Sequence, residues 1–223
     1  MKSESLKTPQ SELKKPRLSL VYPFNWQGLE NFVYPLDAKG IPQVPAGKHL
    51  GLRYNHVTIA QYGLYHLQKY AQNREEGVLQ IVRTIVDWLV DNIQPRQHEI
   101  GAWLFDYDLE FYGPRAPWLS GMAQGQGISL LLRAHQIIEK ACLLEISQQA
   151  FRAFLYPVAE GGVVAHFPDG SLVFEEFPTR PASLVLNGHI FALLGIYDYS
   201  VFWQDKSAHE LFELACIGLK KNL

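Results

Sequence analysis

Two adjacent carboxylates, Glu175 and Glu176, follow a strand-like run that ends at Phe174 and precede a helix-like run beyond Pro178. A carboxyl group held at such a junction can act as a base or acid near neutral pH once burial raises its pKa. If the strand continues through the pair, the two side chains take opposite faces, one directed into the fold and one out of it. That geometry excludes them as the carboxylate pair of a glycosidase, which must flank one bond from opposite sides. The competing reading is structural: both are solvated charges on an edge strand, where charge discourages aggregation.

A second stretch, Trp103-Leu104-Phe105-Asp106-Tyr107-Asp108-Leu109-Glu110-Phe111-Tyr112, sets acids at every second position and aromatics between them. Rings offer flat apolar area to sugar faces while carboxylates accept hydrogen bonds from hydroxyls, so the pattern suits a carbohydrate cleft. A half-buried antiparallel strand carries the same alternation. Calcium is not indicated, because the glycine and terminal glutamate of an EF-hand loop are absent. In a third stretch, Ala116 to Gly127, glycines stand at 121, 125 and 127 near the start of a helix. Glycine weakens a helix, so its presence there implies close packing or ligand approach, and the repeat at Gly121 and Gly125 points to a tight helix contact. No Lys-Ser/Thr pair follows, which excludes a phosphate-cradling loop. His56, His66, His135 and His189 show no pair with zinc-ligand spacing and supporting Cys or Glu, so no metal and no cofactor are expected.

These residues need a scaffold, and 223 residues with 48% hydrophobic and 19% charged content are enough for one sizeable core. A formal charge of -2 gives the chain as a whole no pull toward nucleic acid or a membrane surface. Cys142 and Cys216 stand in apolar helical surroundings that suit buried thiols rather than a disulfide. The first 20 residues lack the apolar core of a signal peptide and no run is long enough to span a bilayer, so a cytoplasmic chain is expected. Six prolines within the first 50 residues break regular helix, and residues 1–30 read as a polar arm draped over a domain of residues 31–223. Apolar spacing predicts helices over 55–73, 78–93, 120–140, 143–156, 182–199 and 207–221. Between 161 and 177 two strand-like runs flank Pro168-Asp169-Gly170-Ser171, a hairpin signal. The fold class is therefore mainly all-α, an incomplete α/α toroid of paired antiparallel helices with a small β hairpin.

Four strings in one order carry a resemblance: Ile59-Ala60-Gln61-Tyr62-Gly63-Leu64, Pro117-Trp118-Leu119-Ser120-Gly121-Met122-Ala123-Gln124-Gly125-Gln126, Glu175-Glu176-Phe177-Pro178 and Leu186-Asn187-Gly188. Together they resemble the C-terminal domain of D-glucuronyl C5-epimerases, over about residues 34–223. The resemblance implies a helical toroid that exchanges the C5 proton of uronic acid residues in a glycosaminoglycan-type polysaccharide, turning D-glucuronate into L-iduronate. It implies Glu176 as the catalytic base. Glu175, Phe177, Tyr62, neighbouring Tyr54, Trp118, Gln124, Gln126 and Asn187 are implied around the substrate, and the aromatic-acidic stretch adds Tyr107.

Phe177 stands where the family carries a tyrosine, so one phenol is missing. Arg53, Arg115 and Arg180 are further candidates, each able to pair with a substrate carboxylate. Family members continue beyond the segment matching residues 218–223, so an open apolar edge is expected, closed by a second copy or a complementing chain. A catalytically inactive uronic-acid-binding remnant, or a truncated product, is the other reading.

Overall fold

The computed structural model describes residues 17–24, 34–47 and 49–223, so most of the arm expected over residues 1–30 lies outside the described residues. What it describes is mostly helical, with small two-stranded sheets between the helices. Helix α1 (His56–Asn73) begins where the Asn55 side chain accepts from Thr58 N at 3.0 Å, and it ends at Arg74 with φ 58°. Such a side-chain oxygen satisfies one of the orphan donors of the first turn. Helix α2 (Glu76–Asn92) returns against α1 and buries Leu79, Val82, Ile85, Val86 and Leu89, a stripe at helical spacing.

Helix α3 (Gly121–Ile138), capped by Ser120, is buried on every side from Gly121 to Ala134. That uniform burial marks it as the central element, and it packs on α1, on α2, on α4 (Cys142–Phe151) and most extensively on α5 (Leu186–Trp203). Beyond Phe151 the fourth helix tightens into a 3₁₀ turn (Arg152–Leu155) rather than continuing to Tyr156. Helix α6 (Lys206–Asn222) starts at Asp205, whose carboxylate accepts from Ala208 N at 3.0 Å, and packs back on α5. The fifth helix starts four residues later than its apolar pattern predicts. Leu184 sits at φ 51°, and the amides of Ser183 and Leu184 are engaged by Glu175, so the segment cannot yet wind into a helix.

Four antiparallel strand pairs fill the connections. β1 (Gln43–Pro45) pairs with β2 (Leu52–Tyr54), and β3 (Gln94–Pro95) with β4 (Gly101–Ala102). β5 (Leu104–Phe105) pairs with β6 (Trp118–Leu119), which closes the aromatic-acidic stretch into a loop. That strand is only two residues long, so the alternation of acids and rings does not run on as a sheet face. The expected hairpin is formed by β7 (Val164–His166) and β8 (Leu172–Phe174), with Gly170 at φ 83° in its turn.

The α3–α5 contact is made at backbone distance. A Cβ on Gly125 would lie 2.6 Å from the Phe191 carbonyl oxygen and 2.8 Å from Ala192 Cα, and one on Gly195 would overlap the Gly125 backbone. Two turns further along α3, Arg133 makes a buried ion pair with Asp198, and Ser129 Oγ donates to the same carboxylate at 2.6 Å. Arg133 Nε also donates to Ser19 O at 2.9 Å, and its guanidinium lies over the Tyr22 ring at 5.2 Å. A buried ion pair needs such extra bonds to offset the loss of hydration.

Cys142 and Cys216 are free and partly buried. Leu186, Ile190 and Tyr197 on α5 and Leu214 and Ile217 on α6 remain exposed. Among the described residues no helix is long and apolar enough to cross a membrane. Gly125→Ala forces α3 and α5 apart and is expected to cost about 1–3 kcal/mol by overpacking. Urea unfolding measures it, and an unchanged midpoint would show that the crossing tolerates a methyl group.

Candidate active site

The site grows from the point where β8 runs out against the start of α3. Glu175 N donates to Val163 O at 2.9 Å, and Gly121 N donates to Glu175 O at 2.8 Å, so the backbone after the strand is stitched to the first turn of α3. Gly121 has no side chain to obstruct this, since a Cβ there would stand 2.7 Å from that same oxygen.

From this fixed backbone the two carboxylates meet different fates. Both are buried, with Glu175 at 0% and Glu176 at 9% exposure, so the expectation of one acid inward and one outward is corrected, as is the edge-strand reading. The strand ends at Phe174 and the pair lies in the turn beyond it, where face alternation no longer applies. Glu175 accepts from Ser183 N at 2.5 Å and Leu184 N at 2.9 Å, which makes it the staple of the turn leading into α5. Glu176 has no such partners among the described residues. Its Oε2 is buried without a hydrogen bond, and its side chain lies so close to Gly188 that a Cβ there would overlap it. Burial alone pushes the Glu176 carboxyl up to about 7. A carboxyl that is half protonated at neutral pH can accept or return a proton without a large driving-force penalty.

Beside this acid runs a continuous band of rings. Phe177 stacks on Tyr112 at 4.1 Å and tilts against Trp118 at 5.7 Å, and Trp118 stacks on Phe105 at 4.1 Å. The band continues through His56 and Trp88 to Tyr54, with successive ring centroids 4.9, 5.4 and 5.2 Å apart. Trp118 Nε1 donates to Tyr107 O at 2.8 Å, and the buried Tyr107 hydroxyl hydrogen-bonds with the Asn55 side chain while burial raises its pKa. Burial also holds His56 neutral, its pKa lowered to about 4, with Nε2 against Leu104 O at 2.9 Å.

Of the residues singled out in the sequence, Phe177, Trp118 and Tyr107 are brought together in one cluster, Glu176 precedes it in the chain, and Asn187 is exposed in the first turn of α5 next to Gly188. Tyr54 joins the far end of the band, where its hydroxyl donates to Asp37 Oδ2 at 2.7 Å. Tyr62 lies deeper along α1, against His66 at 4.4 Å, with burial raising the pKa of its phenol.

Gln124 is a correction. It is fully buried, its Oε1 accepts from Trp103 N at 3.1 Å, and its Nε2 donates to Gly101 O at 2.8 Å and Ala150 O at 3.1 Å, so it ties core loops together instead of facing a substrate. Gln126 is also fully buried, and both its polar atoms lack partners among the described residues. Sequence reasoning passed over Phe111 and Tyr112 as individual site residues, although they closed the aromatic-acidic stretch. With Arg115, Pro178, Arg180 and Ser183 they line a cleft of about 530 Å³ that opens beside Phe177. Arg53, by contrast, lies on β2 and bonds to Leu52 O. No group of three or more His, Cys, Asp or Glu side chains among the described residues is placed to hold a metal ion.

The molecule is a helical scaffold whose strand end buries a carboxyl group at the starts of two helices and leads into a cluster of rings. The family model described as D-glucuronyl C5-epimerase C-terminus matches residues 96–223, and the chain belongs to that family. It is also similar to a D-glucuronyl C5-epimerase of Caenorhabditis elegans, at 35% identity over 137 residues. That match takes in 60% of this chain and 21% of the relative, so the chain spans about one fifth of the curated relative's length.

The two carboxylates differ in a way that stability can read. Between pH 4.5 and about 7 the folded chain keeps a proton on Glu176 that the unfolded chain has lost, so this group makes stability fall as pH rises through that window. Glu176→Gln removes the effect. Relative to wild type the variant is expected to gain on the order of 3 kcal/mol between pH 4.5 and pH 8. Paired urea titrations at the two pH values test it, and a constant difference would show that the carboxyl is solvated.

Proposed function

We propose that the chain acts on uronic acid residues of a polysaccharide, with Glu176 as the base that removes the proton from C5. The observation that carries this reading is a single one: Glu176 is buried, lacks a hydrogen bond on Oε2, and has a pKa raised to about 7 by desolvation. The C5 proton is α to a carboxylate, so its removal needs a base of raised pKa and a means of stabilising the enediolate charge that develops. Helix α5 starts at Val185 without a side-chain cap, which leaves its first-turn N–H groups beside Glu176 for a developing negative charge. Return of a proton to the opposite face of the carbanion completes the conversion of D-glucuronate to L-iduronate, and no net oxidation occurs.

The α/α toroid belongs to the same proposal. Helices α1, α3 and α5 pack in a row with α3 in the middle, each followed by a helix that folds back on it, which is the repeating unit of such an arrangement. In this arrangement the starts of the three helices, at Asn55, Ser120 and Val185, gather at the end that carries the ring band and the acid.

One observation favours a second reading. Phe177 puts a ring without a hydroxyl directly after the acid, which supports a protein that holds uronic-acid polymers without exchanging the proton. Incubation of the chain with a polymer of alternating glucuronate and N-acetylglucosamine in heavy water separates the two. Deuterium at C5 is expected with wild type, at a rate that rises with pH and levels off above about 7, as the base must be ionised. Glu176→Gln is expected to lower exchange by about 100-fold or more. Binding of the polymer by folded wild type without any deuterium incorporation would establish the binding reading and remove Glu176 as a base.

A further inference from the structure

The cleft beside Phe177 has an unusual combination of walls. One is the loop 108–115, held in shape by Gly113 N donating to Leu109 O at 2.7 Å and by Asp108, which accepts from Ala116 N at 2.9 Å and from Arg115 Nη1 at 2.6 Å. The other is the loop 178–183, tied by Thr179 Oγ1 donating to Pro181 O at 2.8 Å and by the two amides that Glu175 accepts. Both walls are therefore set by bonds within the protein, and a ligand would not have to order them.

Arg115 is largely neutralised by Asp108, with Glu110 on the same loop. Arg180 is exposed and forms no ion pair with an acid among the described residues. Phe111 is 87% exposed, the highest value among the exposed large hydrophobic side chains, and its ring meets Tyr112 edge-on at 4.8 Å. Tyr112 in turn stacks on Phe177, the residue that follows Glu176. An unpaired guanidinium and an exposed aromatic ring on one cleft of about 530 Å³ leave room for a sugar residue and supply a cation for its anionic group.

We infer that this cleft is a second sugar subsite, in which Arg180 binds an anionic group further along the polymer from the residue at Glu176, either the N-sulfate of an adjacent glucosamine or the carboxylate of the next uronate, while Phe111 and Tyr112 support the sugar ring. The inference rests on the uronate reading above for the class of ligand, and the cleft itself adds the neighbouring charge as a determinant of specificity. A guanidinium donates two parallel hydrogen bonds to a carboxylate or to a sulfate, and both groups fit the chemistry. Arg115, held in place by Asp108, borders the same space and orients the ring rather than supplying the main charge.

Calorimetric titration of the chain with an octasaccharide of alternating glucuronate and N-acetylglucosamine tests this, alongside its carboxyl-reduced and N-sulfated counterparts. Arg180→Gln is expected to weaken binding of the charged octasaccharides by about tenfold, and Arg180→Lys by less, because the charge stays but the fork is lost. Phe111→Ala is expected to weaken all three, by about fivefold. All three substitutions are at exposed positions, and thermal melts verify that the variants fold. A steeper response to Arg180→Gln with the N-sulfated form assigns the contact to sulfate, and an equal response assigns it to carboxylate. Wild-type affinity in both Arg180→Gln and Phe111→Ala would overturn the subsite while leaving the uronate reading intact. Equal binding of the charged and carboxyl-reduced forms by wild type would overturn the role of Arg180. Failure of wild type to bind any of the three would remove the uronate reading and the subsite with it.

Discussion

The contact between Gly125 and Gly195 sets the geometry on which the site depends. With no side chain on either residue, α3 and α5 meet backbone to backbone, and the Phe191 carbonyl sits where a Cβ of Gly125 would be. The Arg133–Asp198 pair holds the same two helices further along, with Ser129 and Ser19 completing its hydrogen bonds. Toward their N-termini the helices are close enough to hold a short segment between them. That segment is Glu175-Glu176, bonded to Gly121 on one side and packed on Gly188 on the other. Separating the helices by a methyl group would loosen the seat of the acid as well as the core.

Two neighbouring glutamates show how environment, not residue type, assigns a role. Glu175 meets two amides and becomes a structural anchor for the turn before α5. Glu176 packs against Gly188 and is buried without a hydrogen bond on Oε2, so its ionised form is disfavoured and its pKa climbs to about 7. The anchor makes the second role possible, because without the Glu175 bonds the turn through Ser183 and Leu184 would not bring Gly188 against Glu176. The ring band that begins at Phe177 presents flat apolar faces of the kind sugars stack on.

Much of the helical frame was legible in the apolar spacing. Asn55, Ser120 and Asp205 cap helices within a residue or so of where the periodic pattern begins, and the Asp169-Gly170 turn signal marks a hairpin that is present. The late start of α5 was not legible, since it follows from Glu175 reaching eight and nine residues ahead to the Ser183 and Leu184 amides. The opposite-face expectation for Glu175 and Glu176 failed for a similar reason: alternation is a property of a paired strand, and the pairing ends at Phe174. Gln124 was misplaced because its side chain turns inward to Trp103, to Gly101 on β4 and to Ala150 on α4. The cleft around Arg180 was invisible, because residues 111–115 and 178–183 are far apart in the chain and only the fold sets them around one space.

By itself the sequence determined the helical elements, the hairpin, the tight helix packing at Gly125, and the pair of acids at a strand end, whereas Gly121 meets the Glu175 backbone instead of a helix. Those depend on local propensity and on side-chain periodicity, which neighbouring residues carry. Tertiary structure alone decided which acid is anchored and which is strained toward its neutral form, which glutamine belongs to the core, and which arginine faces a cleft without a partner. Burial and hydrogen-bond partnership are set by residues brought together from distant parts of the chain, and a pKa follows from that company rather than from the residue's name.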